Sequence, residues 1–133
     1  MKKMFLDTNG YSEMKKANNP ALLDMIQMAE VIGVNTVVLG ELYAGFYCGG
    51  KTKKNVDELK EFLNSSRVLL MKVTDITAEF YGLIYKQLRE IGKPIPTNDL
   101  WIAASCLEHG FPLYTNDEHF SYVKELILIK DSF

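Results

Sequence analysis

The chain has 133 residues, a formal net charge of −2 and a hydrophobic fraction of 47%. That length predicts one domain, residues 1–133, with a sizeable core, and that charge gives no global attraction for nucleic acid, so a phosphate-bearing substrate must be held locally. No apolar run approaches the length of a membrane span or a signal-peptide core, which points to a cytoplasmic protein with no membrane partner.

Residues 3–7 read as a buried strand that ends abruptly in Asp7-Thr8-Asn9-Gly10. Residues 11–17 suit a short helix. Asn19-Pro20 breaks the chain, and Pro20 fits the first position of another helix. Leu22, Leu23, Ile26, Met28, Ala29 and Ile32 give that helix an apolar face, with Gly33 as its stop. Residues 34–39 read as a second strand. A helix from about Gly40 carries Leu42, Tyr43, Phe46 and Tyr47. Gly49-Gly50 marks a loop, followed by a helix to about Asn64. Residues 67–73 read as a third strand. Thr74 or Asp75 caps a long helix with Glu79 near its start and Lys86 and Arg89 near its end, the sense that the helix dipole favours. Pro94 and Pro96 form a rigid connector. A helix opens at Thr97-Asn98-Asp99, runs to about His109 and ends at Gly110. Residues 112–114 and 125–130 complete the strands. Strands alternating with helices predict a parallel sheet covered on both faces, with any site at the carboxyl ends of its strands.

Four acids stand where a strand ends or a helix begins: Asp7, Glu41, Asp99 and Asp117. Each has a local explanation when taken alone. Asp7 could form an Asx turn, Glu41 could be a solvated first-turn acid, and Asp99 could favour a helix start capped by Thr97 or Asn98. Asp117 could cap the segment after it. On a parallel sheet, however, all of them gather at one edge. Clustered carboxylates repel unless they are protonated or hold a cation, and hard oxygen donors favour Mg²⁺ or Mn²⁺. Such a centre suits phosphodiester hydrolysis.

The same residues carry a family resemblance. Leu6-Asp7-Thr8-Asn9, the Val-Val-Leu-Gly-Glu-Leu stretch through Glu41-Leu42, the run from Ile95 to Ala104, and the run from Leu113 to Phe120 occur in order over nearly the whole chain. Together they resemble the PIN domain, and more narrowly the VapC-type toxin ribonucleases of toxin–antitoxin pairs. The resemblance implies a three-layer α/β/α fold with a central, mostly parallel sheet of about five strands. It also implies an endoribonuclease dependent on Mg²⁺ or Mn²⁺, in which Asp7, Glu41, Asp99 and Asp117 take the places of the acidic quartet. Direct metal contacts fall to Asp7 and Asp99 first. Glu41 and Asp117 act through water or hold a second ion. Thr8, Asn9, Asn98, Thr115 and Asn116 are implied as support. The implied partners are RNA, a cognate antitoxin and a second copy of the chain.

Other residues receive plainer readings. Cys48 and Cys106 lack metal-ligand spacing and predict two buried free thiols. His119 is expected to be a partly exposed helix residue with Phe120 packing below, rather than a base or ligand. Lys51, Lys53 and Lys54 could contact RNA phosphates, although a solvated helix start explains them more simply. Trp101 is expected in the core or a dimer interface, while Tyr43, Phe46 and Tyr47 could serve a core or a partner surface. An aspartyl-phosphate signalling module would show an adjacent acidic pair after an early strand, and a haloacid-dehalogenase-type phosphatase would show an acid at Asn9; both are absent. A catalytically silent, protein-binding PIN-like module is the remaining alternative.

Overall fold

Met4, Phe5 and Leu6 are consecutive and completely buried, which requires cover on both faces of the strand that holds them. A computed structural model describes residues 2–131 and places this strand, β1 (Lys3–Leu6), in the middle of a parallel sheet. The other strands are β2 (Val31–Asn35), β3 (Val68–Met71), β4 (Leu113–Tyr114) and β5 (Leu128–Ile129), in the spatial order β3-β2-β1-β4-β5. Phe5 pairs with Gly33 on one side and with Leu113 on the other. The connections therefore leave β1 in one direction through β2 and β3, then return to its other side at β4. That reversal opens a crevice at the carboxyl ends of β1 and β4, where ligands bind in sheets of this kind.

Among the described residues the helices are α1 (Thr8–Lys16), α2 (Pro20–Met28), α3 (Thr36–Cys48), α4 (Thr52–Leu63), α5 (Asp75–Glu90) and α6 (Thr97–His109). They complete the α/β/α layers expected from the sequence. A short 3-10 turn at Glu118–Tyr122 joins β4 to β5.

Several boundaries differ from the sequence expectation. The second helix stops at Met28 rather than at Gly33, because the Arg67 side chain reaches across to donate to the carbonyls of Ile26 and Ala29. Gly33 instead lies inside β2, where an added Cβ would sit 2.8 Å from Met71 Cε and 3.1 Å from the Phe111 ring. Its lack of a side chain makes room for those two, and does not end a helix. The third helix starts at Thr36 rather than near Gly40, because the buried Asn35 caps it: its Oδ1 accepts from Val38 N at 2.9 Å. The helix start at residue 11 moves back to Thr8, with Asp7 as its cap. Thr74 is the cap residue of α5, its N–H donating to Thr77 Oγ1 at 3.0 Å. Neither Thr97 nor Asn98 caps α6; Pro96 holds that position. β3 and β5 are shorter than expected. Cys106 is buried as expected, but Cys48, at the last position of α3, is exposed.

Candidate active site

The four acids reach the crevice from different elements. Asp7 follows β1 as the cap of α1, and its Oδ1 accepts from Gly10 N at 2.7 Å. Gly10 packs close to that carboxylate: an added Cβ would lie 3.1 Å from Asp7 Oδ1 and 3.3 Å from the Tyr114 ring. Glu41 lies in α3 beyond its first turn, a consequence of the earlier helix start. Its Oε1 accepts from Thr8 Oγ1 at 2.5 Å and its Oε2 from Asn98 Nδ2 at 3.2 Å. Asp99 stands in the first turn of α6. Asp117 caps the 3-10 turn through His119 N at 2.9 Å, and its own N–H donates to Thr115 Oγ1 at 3.0 Å. The buried Thr115 hydroxyl also pulls the Asp7 carboxyl down, so one side chain acts on two of the acids.

The charges of these acids act on one another. Burial and the neighbouring Asp117, Glu41 and Asp7 push the Asp99 carboxyl up to about 6, against a smaller opposing pull from His119. Burial also raises Asp7, with Asp117 and Glu41 adding to the effect; the Gly10 and Thr115 hydrogen bonds oppose it. Among the described residues, no lysine or arginine pairs with any of the four. An acidic cluster held together without a lysine or arginine fits a divalent cation, which would relieve the repulsion that raises these groups. The donors are oxygens, the set that Mg²⁺ and Mn²⁺ accept. A pocket of about 290 Å³ opens beside Asp7 and Asp117, lined also by Asn9, Glu13 and Asn116.

The remaining sequence candidates fall into different places. Thr8, Asn98 and Thr115 touch the acids directly, as described. Asn9 is exposed on the pocket wall. Asn116 turns away from the acids and donates to Tyr114 Oη and Asp131 Oδ2, each at 3.4 Å. It joins a polar cluster that sequence reasoning missed. In that cluster Asn19 Nδ2 donates to Glu13, Tyr114 and Asp131, and Tyr114 Oη donates to Asp131 at 2.7 Å. In the sequence Asn19 reads only as part of the chain break before Pro20, and nothing in its neighbourhood signals the distant Asp131. Lys53 and Lys54 form ion pairs along α4 with Asp57 and Glu58, and none of the cluster Lys51, Lys53 and Lys54 lines the pocket beside Asp7. Trp101 packs tilted on Tyr81, and the exposed Tyr47 stacks on Tyr43. His119 is exposed, as expected, yet its ring turns back towards Asp99 and Asp117.

The PIN domain family model matches residues 4–126. The chain belongs to the PIN domain family. Among its relatives, ribonuclease VapC2 of Haemophilus influenzae is 30% identical over 118 residues, covering 88% of each chain. The plasmid stability protein StbB of Pseudomonas syringae pv. tomato is 32% identical over 124 residues, covering 86% of this chain and 87% of that one. The solved structure of VapBC2 from Rickettsia felis, bound to a promoter DNA fragment, contains a chain that superposes with a TM-score of 0.85. That chain is 25% identical, and the match covers 98% of this chain and 99% of its own length. In this PIN fold the crevice acids lie at the carboxyl ends of β1 and β4 and in the helices beside them.

Proposed function

We propose that the protein is a metal-dependent endoribonuclease, the toxin of a type II toxin–antitoxin pair. The observation that carries this reading is the convergence of Asp7, Glu41, Asp99 and Asp117 at one sheet edge, with Asp99 raised to about 6 by burial and by its acidic neighbours and, among the described residues, no lysine or arginine paired with the group. PIN membership supports it, as do relatives named as VapC ribonucleases and a structural neighbour from a VapBC assembly.

In this reading Asp7 and Asp99 hold Mg²⁺ or Mn²⁺ directly, and Glu41 and Asp117 complete the set. The ion supplies an activated water and offsets charge on the phosphate. The protein's own groups position the acids. Thr8 and Asn98 fix both oxygens of Glu41, and Thr115 braces Asp7 against Asp117. Asn9 faces the substrate from the pocket wall. The exposed Lys51, Lys53 and Lys54 provide outlying phosphate contacts. The partners are RNA, a cognate antitoxin covering the acidic crevice, and a second copy of the chain. The exposed apolar side chains of α5, Ile76, Leu83 and Tyr85, support the last of these.

The test is cleavage of RNA by the purified chain, free of antitoxin, with and without divalent ions, beside the Asp7→Asn and Asp99→Asn variants. Ion-dependent cleavage lost in both variants supports the proposal. Cleavage that ignores chelator overturns the mechanism. Absence of cleavage together with absence of ion binding favours a silent protein-binding module.

A further inference from the structure

We propose that His119 is a nitrogen ligand of this carboxylate centre and tilts it towards Mn²⁺ over Mg²⁺. The inference rests on the proposed function and adds to it a residue and an ion preference that the acidic quartet does not imply.

His119 Nδ1 lies 3.1 Å from Asp117 Oδ1 and 3.7 Å from Asp99 Oδ2. One donor atom from each of Asp99, Asp117 and His119 falls within 4.8 Å of the others. Around a six-coordinate ion with bonds near 2.1 Å, adjacent donors stand about 3.0 Å apart and opposite donors about 4.2 Å. The 3.1 Å separation matches adjacent donors and the 3.7 Å separation falls between the two spacings, so a shift of about half an ångström lets the ring nitrogen and the two carboxylates face one ion. The backbone prepares this arrangement. Asp117 caps the 3-10 turn by accepting from His119 N at 2.9 Å, so the carboxylate that the ring faces also pins the residue bearing it. The imidazole then folds back over its own turn, while much of the side chain stays open to solvent. A bare lone pair on Nδ1 facing two carboxylates is repulsive, so a cation or a proton must lie between them. With an ion there, the ring stays neutral with its proton on Nε2, towards water.

The donor type decides the preference. Mg²⁺ is hard, favours oxygen and gives up water reluctantly, whereas imidazole suits transition ions. Replacing one oxygen position by Nδ1 therefore helps Mn²⁺ more than Mg²⁺. The other histidine, His109, ends α6 ten residues beyond Asp99, about 15 Å away along the helix, beside Glu108. A nitrogen detected on the ion is therefore assignable to His119.

The test uses the purified full chain without RNA. Mn²⁺ and Mg²⁺ binding is measured by calorimetry on the wild type, His119→Gln and Asp99→Asn, and the bound Mn²⁺ is examined by pulsed electron paramagnetic resonance for directly coordinated ¹⁴N. The expected result is a ¹⁴N coupling in the wild type that disappears in His119→Gln. That variant should bind Mn²⁺ about tenfold more weakly and Mg²⁺ within about twofold of the wild type. His119 is exposed, so the substitution leaves the core untouched, and the wild-type spectrum does not depend on any variant. Absence of the coupling, or equal effects on both ions, overturns the inference. If Asp99→Asn still abolishes binding in that case, the proposed function stands. A wild-type chain that binds neither ion overturns both.

Discussion

Asp99 shows how the site imposes strain on single residues. Its carboxyl is raised to about 6 by burial first and by Asp117, Glu41 and Asp7 after it. The folded chain therefore holds a proton that the unfolded chain releases between about pH 4 and pH 6. The stabilisation from this group is complete below the lower limit and is lost as the pH rises through the upper one. In chelator, Asp99→Asn should match the wild type near pH 4. It should exceed the wild type near pH 7 by roughly 1 kcal/mol, or roughly 3 °C in Tm, once solvent screening of this half-buried group is allowed for. Thermal melts across that range check the sign. Gly10 tests the geometry instead. Ala at this helical position gains up to about 1 kcal/mol of helix propensity, but its Cβ meets Asp7 Oδ1 and the Tyr114 ring. Gly10→Ala should therefore keep its stability within about 1 kcal/mol in urea unfolding while losing about tenfold or more in cleavage rate. Asp7 was legible at this scale because a helix cap and a crevice acid call for the same residue type at the end of the same strand. His119 was not, because nothing in a linear sequence shows which way an exposed ring folds.

The elements hold the acids in register through a few polar bridges. Asn35 is the main one. It caps α3 at Val38 N, and its amide donates to Ser105 Oγ at 2.9 Å and to the Trp101 carbonyl at 3.3 Å. It thus ties the helix carrying Glu41 to the helix carrying Asp99. Asn35→Ala should cost about 2–3 kcal/mol in denaturant unfolding, combining a lost cap with a buried Ser105 hydroxyl left without this partner. Elements whose periodicity and punctuation agree, such as α5 and α6, were legible in the sequence almost to the residue. The α2–β2–α3 region was not. Gly33 signals a helix stop locally, but packing against Met71 and Phe111 decides its use, and Arg67 ends α2 from 38 positions away in the chain. Contacts of that range leave no local pattern.

For the whole molecule, the alternation of strands and helices made the parallel sheet, and the edge where the four acids gather, legible. The strand order follows only from tertiary pairing. Because the order reverses between β1 and β4, Asp7 and Asp117 come to the same crevice from opposite ends of the chain. The exposed apolar side chains of α5 carry a prediction about assembly. Leu83 is 67% exposed, and Leu83→Glu should turn a dimer into a monomer in sedimentation velocity while leaving the fold intact. The acidic quartet is proposed to hold the divalent ion used to cut RNA. The most direct test of that role is the single-turnover RNA cleavage rate of the antitoxin-free chain, titrated with Mg²⁺ and with Mn²⁺, in the wild type and in Asp99→Asn. Saturable ion dependence is expected in the wild type, with a loss of at least about 100-fold in the variant at every ion concentration. Equal rates in the two proteins, or cleavage undiminished by chelator, would contradict it.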